Sequence, residues 1–238
     1  MAVVRGTSGK GETLSDLYAF DVASKTWSDL PAPPPAASTT ASSPTLAMVE
    51  SRLYTFSSGH THYLDLHKAP FNDKDGNSAS GIKPLGPWSP IPSGLHPDKP
   101  GPGNRTGATL LPVTTGQGRN YLLLVGGESS TGQSSPSAHS DVWALQLNPE
   151  KGTAASVKDS VRTAIKMSTD EDEWAELKYY NTDGVEIKEG QFQNGVGKRK
   201  GYAAAKGTEV DGCSVLVWGG FGESGKALGD GLMITVER

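Results

Sequence analysis

"YLLLVGGESS", Tyr121–Ser130, is an apolar run that stops on a glycine pair and turns polar. "SVLVWGGFGESG", from Ser214, repeats the event near the end of the chain. A buried strand ending in Gly-Gly twice implies a repeated unit, and repeats have to be found before elements are assigned singly. Two weaker copies exist, "AVVRGTSG" (Ala2–Gly9) and "RLYTFSSG" (Arg52–Gly59).

The segment after each copy also recurs. "SDLYAFDVASKTWSDLP" (Ser15–Pro31) holds an alternating strand with Tyr18, a turn, and a strand opened by Trp27. "SDVWALQLNPE" (Ser140–Glu150), with Trp143, and "GDGLMITV" (Gly229–Val236) match its first half, and "HYLDLHKAP" from His62 is a fainter version. Small-residue strands precede the last three glycine-ended runs: "PTLAMV" from Pro44, "GATLLPV" from Gly107 and "GYAAAKG" from Gly201. Trp88 in "GPWSPIP" and Trp174 in "EWAELKYY" mark the strand that Trp27 marks in the first unit. The unit is therefore four short strands, a to d, with turn signals between them. Three, four, four and three strands are expected in successive units.

Composition agrees with many short elements. Thirty glycines and sixteen prolines are spread through 238 residues, with apolar runs between them. Net charge is −4, and the densest cationic spot is Lys198-Arg199-Lys200, so no basic stripe exists to meet nucleic acid. Cys213 is the single cysteine and cannot form an internal disulfide. No stretch has the apolar length of a membrane span, the N-terminus lacks the apolar core of a signal peptide, and the expectation is a cytoplasmic protein. A sequon at Asn104 is then accidental.

On Gly126-Gly127 and Gly219-Gly220, on Tyr18 or Trp143 in strand c, and on Trp27, Trp88 and Trp174 in strand d, the chain resembles the Kelch repeat family. The resemblance implies an all-β propeller with each repeat as one blade around a channel. Blades fall at about 1–35, 36–94, 95–190 and 191–238, part of a longer ring, six-bladed by expectation, or of an arc paired with another copy. The aromatics of strands c and d are expected to fill the wedges between blades. Two insertions interrupt the pattern. Lys68–Leu85 reads as a polar loop. In 151–173, Ala154, Val157, Val161, Ala164 and Ile165 recur at helical spacing and predict a short amphipathic helix on a blade edge.

Loops b–c and d–a share one face of such a ring. They would carry Glu12, His60, Arg105, Glu128, His139, Arg199 and Glu223. "GNRTGA" (Gly103–Ala108) and "GKRKGY" (Gly197–Tyr202) align, and each sets an arginine at the mouth of strand a. Arg105 and Arg199 could clamp a carboxylate, sulfate or phosphate, or could be structural donors to loop carbonyls. Within the Kelch family the sequence is similar to the nitrile-specifier and thiocyanate-forming branch and its fungal relatives of secondary metabolism. That likeness rests on "LSDLYAFDV", "SRLYTFSSG", "NRTGATLLPVT" and "GGE" before "SDVWAL". It implies Fe(II) bound by Glu-x-x-x-Asp-x-x-x-His in the b–c loop. Glu128 matches the first ligand, but Gly132 and Pro136 stand at the next two positions, and His139 comes three residues late.

Other constellations fail. His60 and His62 share a strand face as a metal pair would, but no acid or third histidine completes a set, and solvent-exposed histidines are expected. "GGFGESGKA" puts Ala227 where a phosphate loop needs Ser or Thr, and a strand comes next instead of a helix. No serine sits on a strand-to-helix elbow. Cys213 lacks the tyrosine and histidines of a copper-radical site like that of galactose oxidase. The sequence thus points to a binding or interaction module without a catalytic site or cofactor, taking a protein partner or small anionic ligand on the loop face. The alternative is a specifier-type enzyme acting on an anionic metabolite, with iron at Glu128.

Overall fold

The computed structural model describes residues 2–4, 16–34, 45–72, 78–91, 101–115, 118–129, 137–148, 172–180, 186–187, 196–207 and 213–236. Among these residues there is no helix, and hence none long and apolar enough to cross a membrane. The fold is all-β and every strand pairing is antiparallel. The chain divides into two units, Met1–Ile91 and Pro92–Arg238.

The first unit holds two sheets. β1 (Ala2–Val4), β2 (Leu17–Asp21) and β3 (Thr26–Leu30) lie in that order. β4 (Thr45–Val49), β5 (Arg52–Ser57) and β6 (His60–Asn72) form the second sheet with β7 (Ser78–Pro84) and β8 (Ser89–Ile91). Leu17, Ala19 and Leu30 of the first sheet and Leu53, Leu64 and Leu66 of the second form one buried cluster. Burying a leucine this fully contributes roughly 1.5–3 kcal/mol.

β6 is where sequence and structure part. Its first half pairs with β8 through Thr61↔Ile91, and its second half continues to pair with β7 from Leu66↔Pro84 to Asn72↔Ser78. Within the stretch expected to be a polar loop, Lys68–Asn72 and Ser78–Pro84 are therefore paired strands. Weak strand formers such as Lys, Pro and Gly hid them, yet the intervening "NDKDGN" carries Asp75-Gly76, a strong hairpin signal. β7 is braced on β3: the Ile82 amide donates to Ser28 Oγ (3.1 Å), and Thr26 Oγ1 donates to the Ser80 carbonyl (3.0 Å). Lys68 Nζ also reaches Asp21 at 3.3 Å.

In the second unit, β9 (Arg105–Thr106) pairs with β12 (Glu128–Ser129). β10 (Thr109–Thr114), β11 (Asn120–Val125), β13 (Val142–Gln146) and β14 (Trp174–Glu176) make a four-stranded sheet. β15 (Tyr179–Tyr180) and β16 (Glu186–Ile187) form a two-residue ladder, and β17 (Ala203–Lys206), β18 (Cys213–Trp218) and β19 (Gly231–Val236) close the chain as a three-stranded sheet. The expected a-to-d order appears as β4-β5-β6-β8 and as β10-β11-β13-β14, and the outer sheets lack one strand each. Leu122, Leu123, Leu124 and Val125 are all buried, which is why β11 reads as an unbroken apolar run rather than an alternating one. Leu111, Val113, Leu123, Val125, Val142 and Ala144 on one face of this sheet pack with Val215, Val217, Leu232 and Ile234 of the last.

The tryptophans divide. Trp174 is buried and Trp88 is half-buried against the first unit's core, its Nε1 donating to the Pro31 carbonyl (2.9 Å). Trp143 is half-buried, whereas Tyr18 and Trp27 are exposed, the Trp27 ring meeting that of Phe20 in a tilted contact at 4.9 Å. These aromatics are expected from the sequence to fill gaps between sheets; among the described residues, nothing covers Tyr18 and Trp27 closely enough to bury them. The helix expected in 151–173 falls almost wholly on residues outside those described, as do Glu12, Gly132 and Pro136.

The recurrence of Gly-Gly has a geometric cause. Gly126, Gly127, Gly219 and Gly220 have φ of 49°, 99°, 67° and 94°, all left-handed. A Cβ on Gly127 would lie 2.9 Å from the Thr106 carbonyl oxygen, and one on Gly220 2.7 Å from that of Lys200. Backbone is what approaches, so no side chain can swing away. Ser58-Gly59 shares the positive φ but closes a two-residue hairpin, Ser57↔His60. Gly220→Ala should cost at least about 2 kcal/mol in urea unfolding from strain and clash together. Gly225→Ala, at φ 73° with open space around it, should cost only about 1 kcal/mol.

Candidate functional site

The aligned loops fold alike. Gly103 and Gly107 flank Arg105 at φ 65° and 67°, and Gly197 and Gly201 flank Arg199 at 69° and 61°. The glycines turn each loop inward and carry the guanidinium beneath it. Arg105 is 4% exposed and Arg199 3%.

The two arginines bond to equivalent partners. Arg105 Nε donates to the Pro102 carbonyl (2.7 Å), as does Nη2, while Nη1 donates to the Gly126 carbonyl (3.1 Å). Nη1 and Nη2 then grip the Asp141 carboxylate at 2.6 and 3.0 Å. Arg199 Nε donates to the Val196 carbonyl (2.6 Å) and Nη1 to that of Gly219 (3.1 Å). The Asp230 carboxylate accepts from its Nη1 and Nη2 at 3.2 and 3.1 Å. A guanidinium has five N–H donors, and all five of Arg105 are bonded inside the protein. The anion-clamp expectation is corrected for Arg105, which keeps no N–H to offer a ligand, while Arg199 spends four of its five on Val196, Gly219 and Asp230. Each arginine ties its own loop to the first glycine of the pair and to the residue opening strand c.

The two aspartates carry a role that sequence reasoning missed. Their signal was present, because Asp16, Asp141 and Asp230 all stand immediately before strand c. Burial would raise the Asp141 carboxyl, but the hydrogen bonds and charge of Arg105, with the Trp143 Nε1 donor at 2.7 Å, hold it below the ordinary value. The Arg199 bonds likewise lower Asp230.

Above the clamps lies a cavity of about 300 Å³ lined by Glu128, Ser137, Ala138, Lys200, Phe221, Gly222 and Glu223. Glu128 sits opposite Thr106 in the β9–β12 ladder, and Phe221 and Lys200 exchange backbone bonds in the equivalent place of the last sheet. Glu128 pairs with Lys200 at 3.0 Å, and Lys198 with Glu223 at 2.8 Å. The Phe221 ring is 48% exposed. Structure thus joins Glu128 and Glu223 with Lys200 and Phe221, two residues that no sequence motif marks as site residues, and leaves His139 outside the lining. His139 donates its amide to the Gly127 carbonyl (2.7 Å). Burial, then the charges of Arg105 and Lys198 against that of Asp141, push its imidazole below the usual range, favouring the neutral form.

These residues make a poor metal site. Among those described, no group of three or more His, Cys, Asp or Glu converges. Glu128 is engaged by Lys200, and glycine and proline at 132 and 136 bring no ligating side chain. Among the described residues, no set of side chains fits Fe(II). His60 is exposed, and burial followed by the His60 charge lowers the His62 imidazole, with no third ligand among the described residues.

The clamps should register in stability. Asp141→Asn leaves the buried Arg105 charge without its counter-ion and should cost on the order of 3 kcal/mol in urea unfolding. Asp230→Asn should cost clearly less, because the Asp230 side chain is 58% exposed against 19% for Asp141. Both carboxyls are depressed in the fold, so their contribution is whole above the ordinary value of 3.8 and is lost as pH falls through the lower folded values. Asp141→Asn should flatten that acid loss in a series of unfolding curves between neutral pH and acid.

No family model matches the chain, and no curated protein matches it. Among solved structures it is similar to one titled "Structure of YjhT", at 14% identity and a TM-score of 0.45. The match covers 98% of this chain and 52% of that one, so the chain spans about half the length of the protein it matches. At that score the likeness decides neither fold family nor function.

Proposed function

We propose that this chain is a run of four Kelch-type propeller blades acting as a binding module, with the cavity beside Glu128 as the place where a partner inserts. Four sheets in one strand order, two carrying the same glycine-pair and arginine clamp, support the blade reading. One observation carries the binding reading: Arg105 and Arg199 are spent on the scaffold, and the cavity rim is left with two ion pairs and one exposed ring. Lys200 already has a carboxylate partner, so the site suits a peptide segment bearing both charges around an apolar side chain better than a simple anion. Catalysis would need a nucleophile or a base with an orienting partner. The carboxylates that line the cavity, Glu128 and Glu223, are each engaged in a lysine ion pair.

A random peptide library panned on the purified chain tests this. Enriched peptides should lose about tenfold or more in affinity by calorimetry to Phe221→Ala and to Lys200→Glu. Enrichment indifferent to both substitutions, or none at all, would overturn the assignment. A parallel anaerobic preparation with Fe(II) should hold well under one iron per chain by mass spectrometry. Stoichiometric iron that disappears in Glu128→Ala would replace the binding module by the specifier-type enzyme.

A further inference from the structure

Among the described residues, the two outer sheets each expose large apolar side chains on one face. In the second unit, the face of β10–β14 that carries Leu123, Val125, Val142 and Ala144 is covered by the face of β17–β19 that carries Val215, Val217, Leu232 and Ile234. Aligning the glycine pairs and the aspartates before strand c makes Leu216, Trp218, Gly231 and Met233 of the last sheet the counterparts of Leu123, Val125, Val142 and Ala144. These counterparts are uncovered: Leu216 is 48% exposed, Trp218 58% and Met233 72%, where Leu123, Val125 and Val142 are at 0%. Register places them together, with Leu216 opposite Met233 and Trp218 opposite Gly231.

The first sheet exposes Tyr18 and Trp27 on the opposite side, with Phe20 half-buried between them. Tyr18 and Phe20 occupy the strand positions of Leu232 and Ile234, one and three residues after the leading residue of strand c. Trp27 pairs with Phe20 as Trp174 pairs with Leu145, yet Trp27 is 56% exposed and Trp174 4%. Among the described residues, no sheet packs on the Leu216–Trp218–Met233 side of the last sheet or on the Tyr18–Trp27 side of the first. Apolar patches of this kind on a sheet face mark association surfaces.

We propose that a second copy of this chain supplies the cover: the Leu216–Trp218–Met233 face of one copy packs on the Tyr18–Phe20–Trp27 face of another. The contact repeats between copies the sheet-on-sheet packing already present within the second unit. It is heterologous, because each copy contributes a different face. Its basis is the pair of bare faces, and it stands whether or not the cavity binds a peptide.

Sedimentation velocity on the full chain tests it, with Met233→Glu and Trp27→Glu as variants at exposed positions. The wild type should self-associate with concentration, to twice the monomer mass or beyond. Each variant alone should associate at least about tenfold more weakly. Mixing the two should restore association and stop it at one pair, since Met233→Glu keeps the first-sheet face and Trp27→Glu keeps the last-sheet face. Circular dichroism melts confirm folding, and Trp218→Glu with Tyr18→Glu replaces either variant that fails to fold. A wild type that is monomeric throughout would overturn the proposal in favour of cover by this chain's own residues or by another partner. Association that survives Trp27→Glu but not Met233→Glu would overturn it in favour of a symmetric contact.

Discussion

A buried guanidinium is the constraint on which the second unit depends. Arginine cannot shed its charge at any ordinary pH, so its fork must find acceptors in the interior. Arg105 finds them in the Pro102 and Gly126 carbonyls and the Asp141 carboxylate, and Arg199 in the equivalent three places. Those acceptors belong to separate segments, so one side chain sets the spacing of the loop before strand a, the end of strand b and the start of strand c. The glycine pair is a consequence. Gly126 and Gly219 present their carbonyls to the fork from left-handed backbone, and the second glycine passes against the Thr106 or Lys200 carbonyl.

Sheet coverage is the second constraint, and it explains the difference between strands of the same kind. From Leu122 to Val125, β11 is buried on both faces and is written in leucine and valine. β18 alternates, with Val215 and Val217 inside and Leu216 and Trp218 outside, yet its outside residues are as apolar as its inside ones. A strand whose outer face met only water would carry polar residues there. β2 shows the same mismatch, with Tyr18 and Phe20 on the bare side of Leu17 and Ala19.

Much of the strand order was legible in the sequence, because short apolar runs bounded by glycine and proline signal strands without help from distant residues. Lys68–Leu85 was not, since β7 draws its order from β6 and from the bonds of Ile82 and Thr26 to the neighbouring sheet rather than from its own propensity. The arginines were legible as a pair and ambiguous in role: position in a loop does not say which way a long side chain turns. The aspartates would have settled it, as a cation and an anion recurring at the same two places in a repeat are each other's partner. The aromatics misled because a residue type proper to a filled gap was read as proof that the gap is filled.

Repetition also separates scaffold from site. The two arms share Arg105 and Arg199 and their flanking glycines, and every shared residue proves structural. They differ at the next position, Thr106 against Lys200, and after the glycine pair, Glu128 against Phe221. Three of those four residues carry or line the cavity's charge and its ring. Repetition selects what any unit needs in order to fold, namely a satisfied arginine and a turn that admits close backbone. Function needs one unit to differ from its neighbours. In a repeated fold the residues that break the alignment beside an unbroken clamp are therefore the ones to question for binding. Lys200 and Phe221 are such residues, although sequence recurrence points past them to the arginine they flank.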